Sequence, residues 1–65
     1  MRIEVNGDMH EVTGATLADA LDQLGWGKAK VATALNGEFV PASARAEQVL
    51  RDGDRLEVLA PMQGG

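Results

Sequence analysis

Polar and apolar residues alternate at the start of the chain, which predicts a first strand over residues 2–5. Asn6-Gly7 follows it and is a strong signal for a β-hairpin, because a type I′ turn needs positive φ at both central residues. Such a turn pairs Ile3 with His10 and brings residues 8–12 back as a second strand. We expect His10 to lie half-buried beside the hairpin in a structural role, since no second metal ligand stands near it in the sequence.

The next stretch has the spacing of one amphipathic helix of about eight residues. Thr16 is a suitable N-cap, Asp19 stands where the acidic residue of a capping box belongs, and Gly25 is placed to end the helix. One apolar stripe runs along it at positions i, i+4 and i+7: Leu17, Leu21 and Leu24. A helix this short is stable only when it packs on a sheet, so the leucines are assigned to the core.

The second half of the chain predicts another hairpin and then a connector. Residues 31–36 form a third strand, Asn36-Gly37 a second tight turn, and residues 38–40 a short return strand. The proline that follows cannot donate to a ladder, which suits the edge of a sheet. Residues 42–50 then form a connector with room for a helical turn, anchored to the core through Val49-Leu50.

The last strand starts at Arg55, after a turn at residues 52–54. Every second residue of this strand is expected to face the core: Leu56, Val58 and Ala60. Leu59 points the other way, as an apolar residue on the polar face. We interpret Leu59 and Met62 as an exposed apolar patch that docks on a partner protein.

The small residues at the end of the sequence predict an extended segment rather than a folded element. We therefore divide the chain into a domain over residues 1–60 and a flexible tail over residues 61–65. Gln63 and Gly64 precede Gly65 at the end of this tail. Glycine has no Cβ, which lets the walls of a narrow channel approach closely. Five extended residues reach roughly 17 Å, at about 3.3–3.6 Å each. The tail could therefore carry its carboxylate into the active site of another protein.

Composition narrows the chemistry that the 65 residues can perform. The chain has no cysteine and one histidine, so it lacks a thiol nucleophile and a Cys/His metal cluster. Its net charge of −4 argues against nucleic acid as a partner and favours a protein with a basic surface. No apolar run suits a membrane span or a signal peptide, so we expect no membrane association and a cytoplasmic location.

The carboxylate of Gly65 is the remaining candidate for covalent chemistry. An α-carboxyl group has a reference pKa of about 3.3–3.7, so at neutral pH it is ionised and a poor electrophile. It reacts only after conversion to a mixed anhydride such as an acyl-adenylate. A working tail therefore implies an ATP-using partner, and the chain itself is expected to be a carrier with no catalytic residues of its own.

Several segments together resemble the ThiS family of sulfur carriers in thiamine biosynthesis, over essentially the whole chain. The matching segments are IEVNG at 3–7, TLADAL at 16–21, VATALNGEFVP at 31–41, DGDRLEV at 52–58 and QGG at 63–65. The resemblance implies the α+β β-grasp fold of ubiquitin-like proteins. In that fold one main helix covers a small mixed sheet of four to five strands, in the order ββαββ followed by the last strand.

The resemblance also implies a mechanism and a set of partners. A ThiF-like, E1-type adenylyltransferase would activate Gly65 with ATP and magnesium, neither of which this chain is expected to bind. A sulfur donor from a cysteine desulfurase route would then convert the adenylate into a thiocarboxylate. A ThiG-like thiazole synthase would receive the sulfur.

Four other functions stay open on the sequence alone. Two use the same chemistry: a MoaD-like carrier for molybdopterin synthesis, and a carrier for another sulfur pathway. A third is a ubiquitin-like modifier whose tail forms an isopeptide bond with a lysine. The fourth is a non-covalent binding module in which the tail has no role.

Overall fold

The computed structural model describes residues 1–60, which form one α-helix, one short 3-10 helix and one sheet. The elements are β1 (Arg2–Val5), β2 (Asp8–Glu11), α1 (Leu17–Gln23), β3 (Ala32–Leu35), β4 (Glu38–Val40), a 3-10 helix (Ala42–Ala44) and β5 (Arg55–Leu59). The sheet has five strands in the order β2-β1-β5-β3-β4. Only the β1–β5 pair is parallel among these neighbours. The expected mixed sheet with one main helix is confirmed.

Both Asn-Gly pairs form the tight turns that the sequence predicts. Asn6 and Asn36 each have φ of 51°, and the glycines after them have φ of 92° and 86°. These left-handed angles are the ones that a type I′ turn requires, and Asn and Gly tolerate them best. The first turn pairs Ile3 with His10 and the second pairs Leu35 with Glu38, so the local register follows directly from turn chemistry.

Helix α1 begins and ends at the predicted signals. The Thr16 side chain accepts a hydrogen bond from the Asp19 backbone N–H at 3.2 Å, and the Asp19 carboxylate accepts in return from the Thr16 N–H at 3.3 Å. This is a complete capping box, which satisfies donors that a helix start otherwise leaves unpaired. Gly25, with φ of 96°, takes the left-handed conformation just after the helix.

The core lies between α1 and one face of the sheet, and it also includes a residue of the connector. Its members are almost fully inaccessible to solvent: Ile3, Val5, Val12, Leu17, Ala20, Leu21, Leu35, Val40, Leu50, Leu56 and Val58. Leu24 and Trp26 pack against this cluster from its margin. The expectation that the helix leucines are structural is confirmed.

The connector between β4 and β5 is fastened to the start of α1 by backbone hydrogen bonds. Leu17 N–H donates to Gln48 O at 2.8 Å, and Leu50 N–H donates to Ala15 O at 2.9 Å. These bonds satisfy the helix start and hold Leu50 over the core without a regular strand. The predicted helical turn is present as the 3-10 helix.

Thr33 is the one buried polar residue among residues 1–60, and its hydroxyl group ties three segments together. The hydroxyl donates to Val40 O at 2.8 Å and accepts from Nε of Arg45 at 3.0 Å. The Arg45 guanidinium also donates to Val31 O. One hydroxyl group therefore links β3, the edge strand β4 and the connector.

Three placements differ from the sequence expectation. His10 is exposed although its partner Ile3 is buried, because β2 is an edge strand that the helix does not cover. Val49 is 58% exposed, so Leu50 alone anchors that part of the connector. Ala60 is exposed because β5 ends at Leu59, and the alternation of strand faces ends with it.

We predict that Thr33→Val lowers the free energy of unfolding by about 1–3 kcal/mol, since it leaves Val40 O and Arg45 Nε without their buried partner while keeping the side-chain volume. The melting temperature in a calorimetric scan should fall by several degrees, at about 4–8 °C per kcal/mol for a domain of this size.

Thr13→Val is the matched control for this substitution, because Thr13 is exposed. Its effect should stay within about 0.5 kcal/mol. Equal melting temperatures for Thr33→Val and the wild-type chain would contradict the structural role of the hydroxyl group.

Candidate functional site

Strand β5 presents its two faces to different surroundings. Leu56 and Val58 are 1% and 6% exposed and belong to the core, whereas Leu59 is 70% exposed. The predicted outward orientation of Leu59 is therefore confirmed. Leu59 is the last residue of β5, so this apolar side chain stands directly before the segment that the sequence assigns to the tail.

Leu59 belongs to a larger apolar surface on the face of the sheet away from α1. In the sheet register Leu59 lies opposite Ala32, and Phe39, also 70% exposed, lies opposite Ala34. The two alanines are small, so they leave a shallow depression between the two large side chains. We call this surface the open-face patch: Ala32, Ala34, Phe39 and Leu59.

The open-face patch has the properties of a docking surface rather than of a catalytic pocket. Two large apolar side chains that remain exposed on one sheet face represent surface that a partner could bury favourably. Glu57, which lies opposite Ala34, borders the depression and adds a negative charge to its rim. An apolar centre with a charged rim is the usual composition of a protein interface.

A second concavity lies on the other side of Leu59, between the start of β3 and the connector. It is lined largely by apolar groups, and its lining includes Leu59, Ala60, Ala42 and Arg45. Lys30 adds a second positive charge at this groove. Apolar surface therefore continues around the end of β5, and Leu59 contributes to both concavities.

The described residues bring no catalytic constellation together. No group of three or more His, Cys, Asp or Glu residues within residues 1–60 could hold a metal ion. In the same part of the chain, no helix is long and apolar enough to cross a membrane. His10 lies exposed on β2 and takes no part in a site.

Four of the five predicted site residues lie outside the described residues: Met62, Gln63, Gly64 and Gly65. Their assignment to docking, to the tail and to covalent attachment stays a prediction, as does the division of the chain into residues 1–60 and 61–65. Leu59 is the one predicted site residue that the structure places.

The sequence analysis missed Phe39 and the two alanines of the open-face patch. The signal for Phe39 was present, because the turn at Asn36-Gly37 pairs it with Ala34 and alternation within β4 points it away from buried Val40. No local signal brings Leu59 beside Ala32, since that contact depends on which strands become neighbours in the sheet.

A known protein family matches almost the whole of this chain. The family model described as "ThiS family" matches residues 3–65. The chain belongs to the ThiS family. The expectations of a ThiS-type sulfur carrier in thiamine biosynthesis and of the β-grasp fold are thereby confirmed.

Two curated relatives support this membership. The sulfur carrier protein ThiS of Thermus thermophilus is 39% identical, over 94% of this chain and 95% of its own length. A thiazole synthase of Paramagnetospirillum magneticum is 36% identical over the full length of this chain. The chain spans only 20% of the length of that second protein.

Solved structures agree with the ThiS fold. The crystal structure of the thiamine biosynthesis protein ThiS from Geobacter metallireducens is 35% identical and superposes with a TM-score of 0.82, with all of both chains covered. A solution structure of a thiamine biosynthesis protein from the same organism is 33% identical and has a TM-score of 0.78. That comparison covers all of this chain and 88% of the other.

We predict that Leu59→Glu weakens the binding of a protein that docks on the open-face patch at least tenfold, because a carboxylate would replace apolar surface at the centre of the patch; tenfold corresponds to about 1.4 kcal/mol. The melting temperature should remain nearly unchanged, since Leu59 is 70% exposed. Titration calorimetry and thermal denaturation measure the two quantities.

Met9→Glu is the matched control for this prediction. Met9 is 50% exposed and lies opposite Glu4 on the same open face, but on the edge strand β2, at the far side of the sheet from Phe39. The Met9→Glu substitution adds the same charge as Leu59→Glu. It should leave the affinity within about twofold of the wild-type value, the range usual for a substitution outside the contact area. Equal losses of affinity in both variants would show that the added negative charge alone causes the effect, and would contradict docking at the open-face patch.

Proposed function

We propose that this ThiS-family chain carries sulfur as a thiocarboxylate on Gly65, with Gly65 as its carboxyl-terminal residue, and that residues 1–60 present this end to partner enzymes. The observation that carries the proposal is the position of the open-face patch. Exposed Leu59 closes β5 and lies six positions before Gly65, so an enzyme bound there would have the tail within its reach.

The chemistry requires three steps: activation of the carboxylate, attack of sulfur at its carbonyl carbon, and release of the thiocarboxylate. First, a carboxylate oxygen of Gly65 attacks the α-phosphorus of ATP, and pyrophosphate leaves to give an acyl-adenylate. Next, the terminal sulfur of a persulfide attacks the carbonyl carbon, and AMP leaves. A thiol then cleaves the sulfur–sulfur bond of the acyl disulfide and becomes part of a disulfide itself, which releases the thiocarboxylate.

The activating partner in this proposal is a ThiF-like, E1-type adenylyltransferase that supplies the ATP and magnesium site. Its contact surface would be apolar opposite Leu59 and Phe39 and basic opposite Glu57. Charge supports this arrangement, because the chain carries a net charge of −4 and Glu57 borders the open-face patch. The persulfide would come from a cysteine desulfurase route.

The receiving partner in this proposal is a ThiG-like thiazole synthase. The match to the thiazole synthase of Paramagnetospirillum magneticum supports it, because a segment 36% identical to this whole chain lies within that polypeptide. A thiocarboxylate suits transfer to such an enzyme, since sulfur is a softer and better nucleophile than a carboxylate oxygen.

The chain would then act as a carrier and co-substrate rather than as an enzyme. Residues 1–60 offer no metal cluster, and the chain has no cysteine to attack an activated carbonyl group. The proposal also places it in the cytoplasm, where ATP is available to the activating partner. Family membership favours this pathway over a MoaD-like carrier and over a carrier for another sulfur pathway.

We predict a specific mass change when the chain is incubated with a ThiF-like enzyme, ATP, magnesium and a persulfide donor. Intact-mass spectrometry should show a gain equal to the difference between one sulfur atom and one oxygen atom, located at Gly65 by fragmentation. Omission of ATP is the control and should abolish the gain. An unchanged mass with an enzyme that thiocarboxylates its own carrier would contradict the proposal.

Deletion of Gly65 should distinguish a sulfur carrier from a non-covalent binding module. The shortened chain ends in Gly64 and keeps the open-face patch, so we expect its affinity for the activating enzyme to stay within about tenfold of the wild-type value. Thiocarboxylate formation should fall more than a hundredfold, which is the scale of loss when a reacting group is misplaced. Full retention of function in a complementation assay would instead support a binding module. Conjugates of higher mass in cells would support a protein modifier.

A further inference from the structure

Strand β1 leaves the sheet before β5 ends. Glu4 N–H of β1 donates to the carbonyl of Asp54, just before β5, at 2.9 Å, and the N–H of Asn6, just after β1, donates to Leu56 O of β5 at 3.0 Å. At Asn6 the chain turns back into β2, so the backbone of β1 cannot supply a partner for Val58 on this side of β5.

The side chain of Asn6 takes the place of the missing peptide group. Its Oδ1 accepts from Val58 N–H at 2.9 Å, and its Nδ2 donates to Val58 O at 3.1 Å. A primary amide offers the same donor and acceptor as a backbone peptide, so the pair adds one rung to the ladder. We call these two hydrogen bonds the Asn6 clamp. They hold β5 at the residue directly before Leu59.

The second Asn-Gly turn contains a counterpart at the other end of β5. Asn36 has the same φ of 51°, and its Oδ1 accepts from Arg55 N–H at 2.9 Å. Its Nδ2 donates to the Asp54 carboxylate at 3.1 Å. The two asparagines therefore make similar side-chain hydrogen bonds from similar turns, but Asn36 holds the start of β5 and Asn6 holds its end.

We propose that Asn6 is a positioning residue for the reaction of Gly65. This inference rests on the proposed function. The Asn6 clamp fixes the direction of β5 at Val58 and thereby the positions of Leu59 and Ala60, which precede the predicted tail. Without it, the end of β5 is paired only with β3, where Val58 lies opposite Thr33 and Leu59 lies opposite Ala32. A less restricted exit would place the carboxylate less often in the reactive geometry inside the partner enzyme.

The test compares Asn6→Gly with Asn36→Gly. Glycine accepts the left-handed backbone of both turns, so each variant removes the side-chain hydrogen bonds and keeps the hairpin. The change in the unfolded chain is also the same in the two variants, which makes Asn36→Gly a matched control. Hydrogen exchange of single amides and steady-state kinetics of thiocarboxylate formation are measured on both.

We expect the Val58 amide to exchange about tenfold faster in Asn6→Gly and unchanged in Asn36→Gly, with the reverse for Arg55, because exchange reports the local opening of each hydrogen bond. In the activation reaction, kcat for Asn6→Gly should fall about fivefold, the factor that hydrogen bonds of ordinary net strength supply. KM should change by less than about twofold, since the residues of the open-face patch are retained.

Asn6→Asp provides a second variant in case Asn6→Gly does not fold. Aspartate tolerates the same left-handed turn and keeps an acceptor for Val58 N–H, but it has no donor for Val58 O. Its kcat should fall below the wild-type value while its KM changes by less than about twofold, and a kcat equal to that of the wild-type chain would contradict the positioning role.

Equal kcat values for the Asn6 and Asn36 variants would overturn the inference and leave the proposed function intact, since both asparagines would then be structural. A loss expressed in KM alone would overturn it as well, because it would indicate docking rather than positioning. Failure of the wild-type chain to form any thiocarboxylate would overturn the proposed function and this inference with it.

Discussion

The pairing of β5 with β1 and β3 is the constraint on which the rest of the molecule depends. Strand β5 is the last strand of the described chain and the central strand of the sheet, parallel to β1 and antiparallel to β3. It joins two hairpins that otherwise share no strand pairing. Leu56 and Val58 place it in the core, so the same strand that completes the sheet also holds the segment leading to Gly65.

Most local features could be predicted from the sequence because they depend on neighbouring residues. The Asn-Gly turns, the Thr16 capping box, the helix stop at Gly25 and the orientation of Leu59 all follow from short-range rules. The wrong expectations concern exposure at the margins of the fold. His10 was expected to be half-buried, and its exposure follows from an edge position that the alternation of residues does not encode.

The residues of the candidate site also differ in whether the sequence predicts them. Leu59 was predictable from alternation, whereas its neighbours in the open-face patch depend on β3 and β5 lying side by side, which brings Ala32 and Leu59 together from distant parts of the chain. The Asn6 clamp was equally hidden, since Asn6 is fully explained as a turn residue until β5 lies beside it. Long-range pairing therefore decided the features that hairpin rules left undetermined.

A central strand that comes late in the chain has a consequence for biosynthesis. During translation the two hairpins and α1 can emerge from the ribosome early, but their mutual arrangement must wait for residues 55–59, because β1 and β3 have no common neighbour before then. Pairing across so much sequence is entropically costly and forms late. A nascent chain that stalls before β5 would lack the middle of its sheet. Truncated products are therefore expected to be poor competitors for the partner enzymes and good substrates for proteolysis.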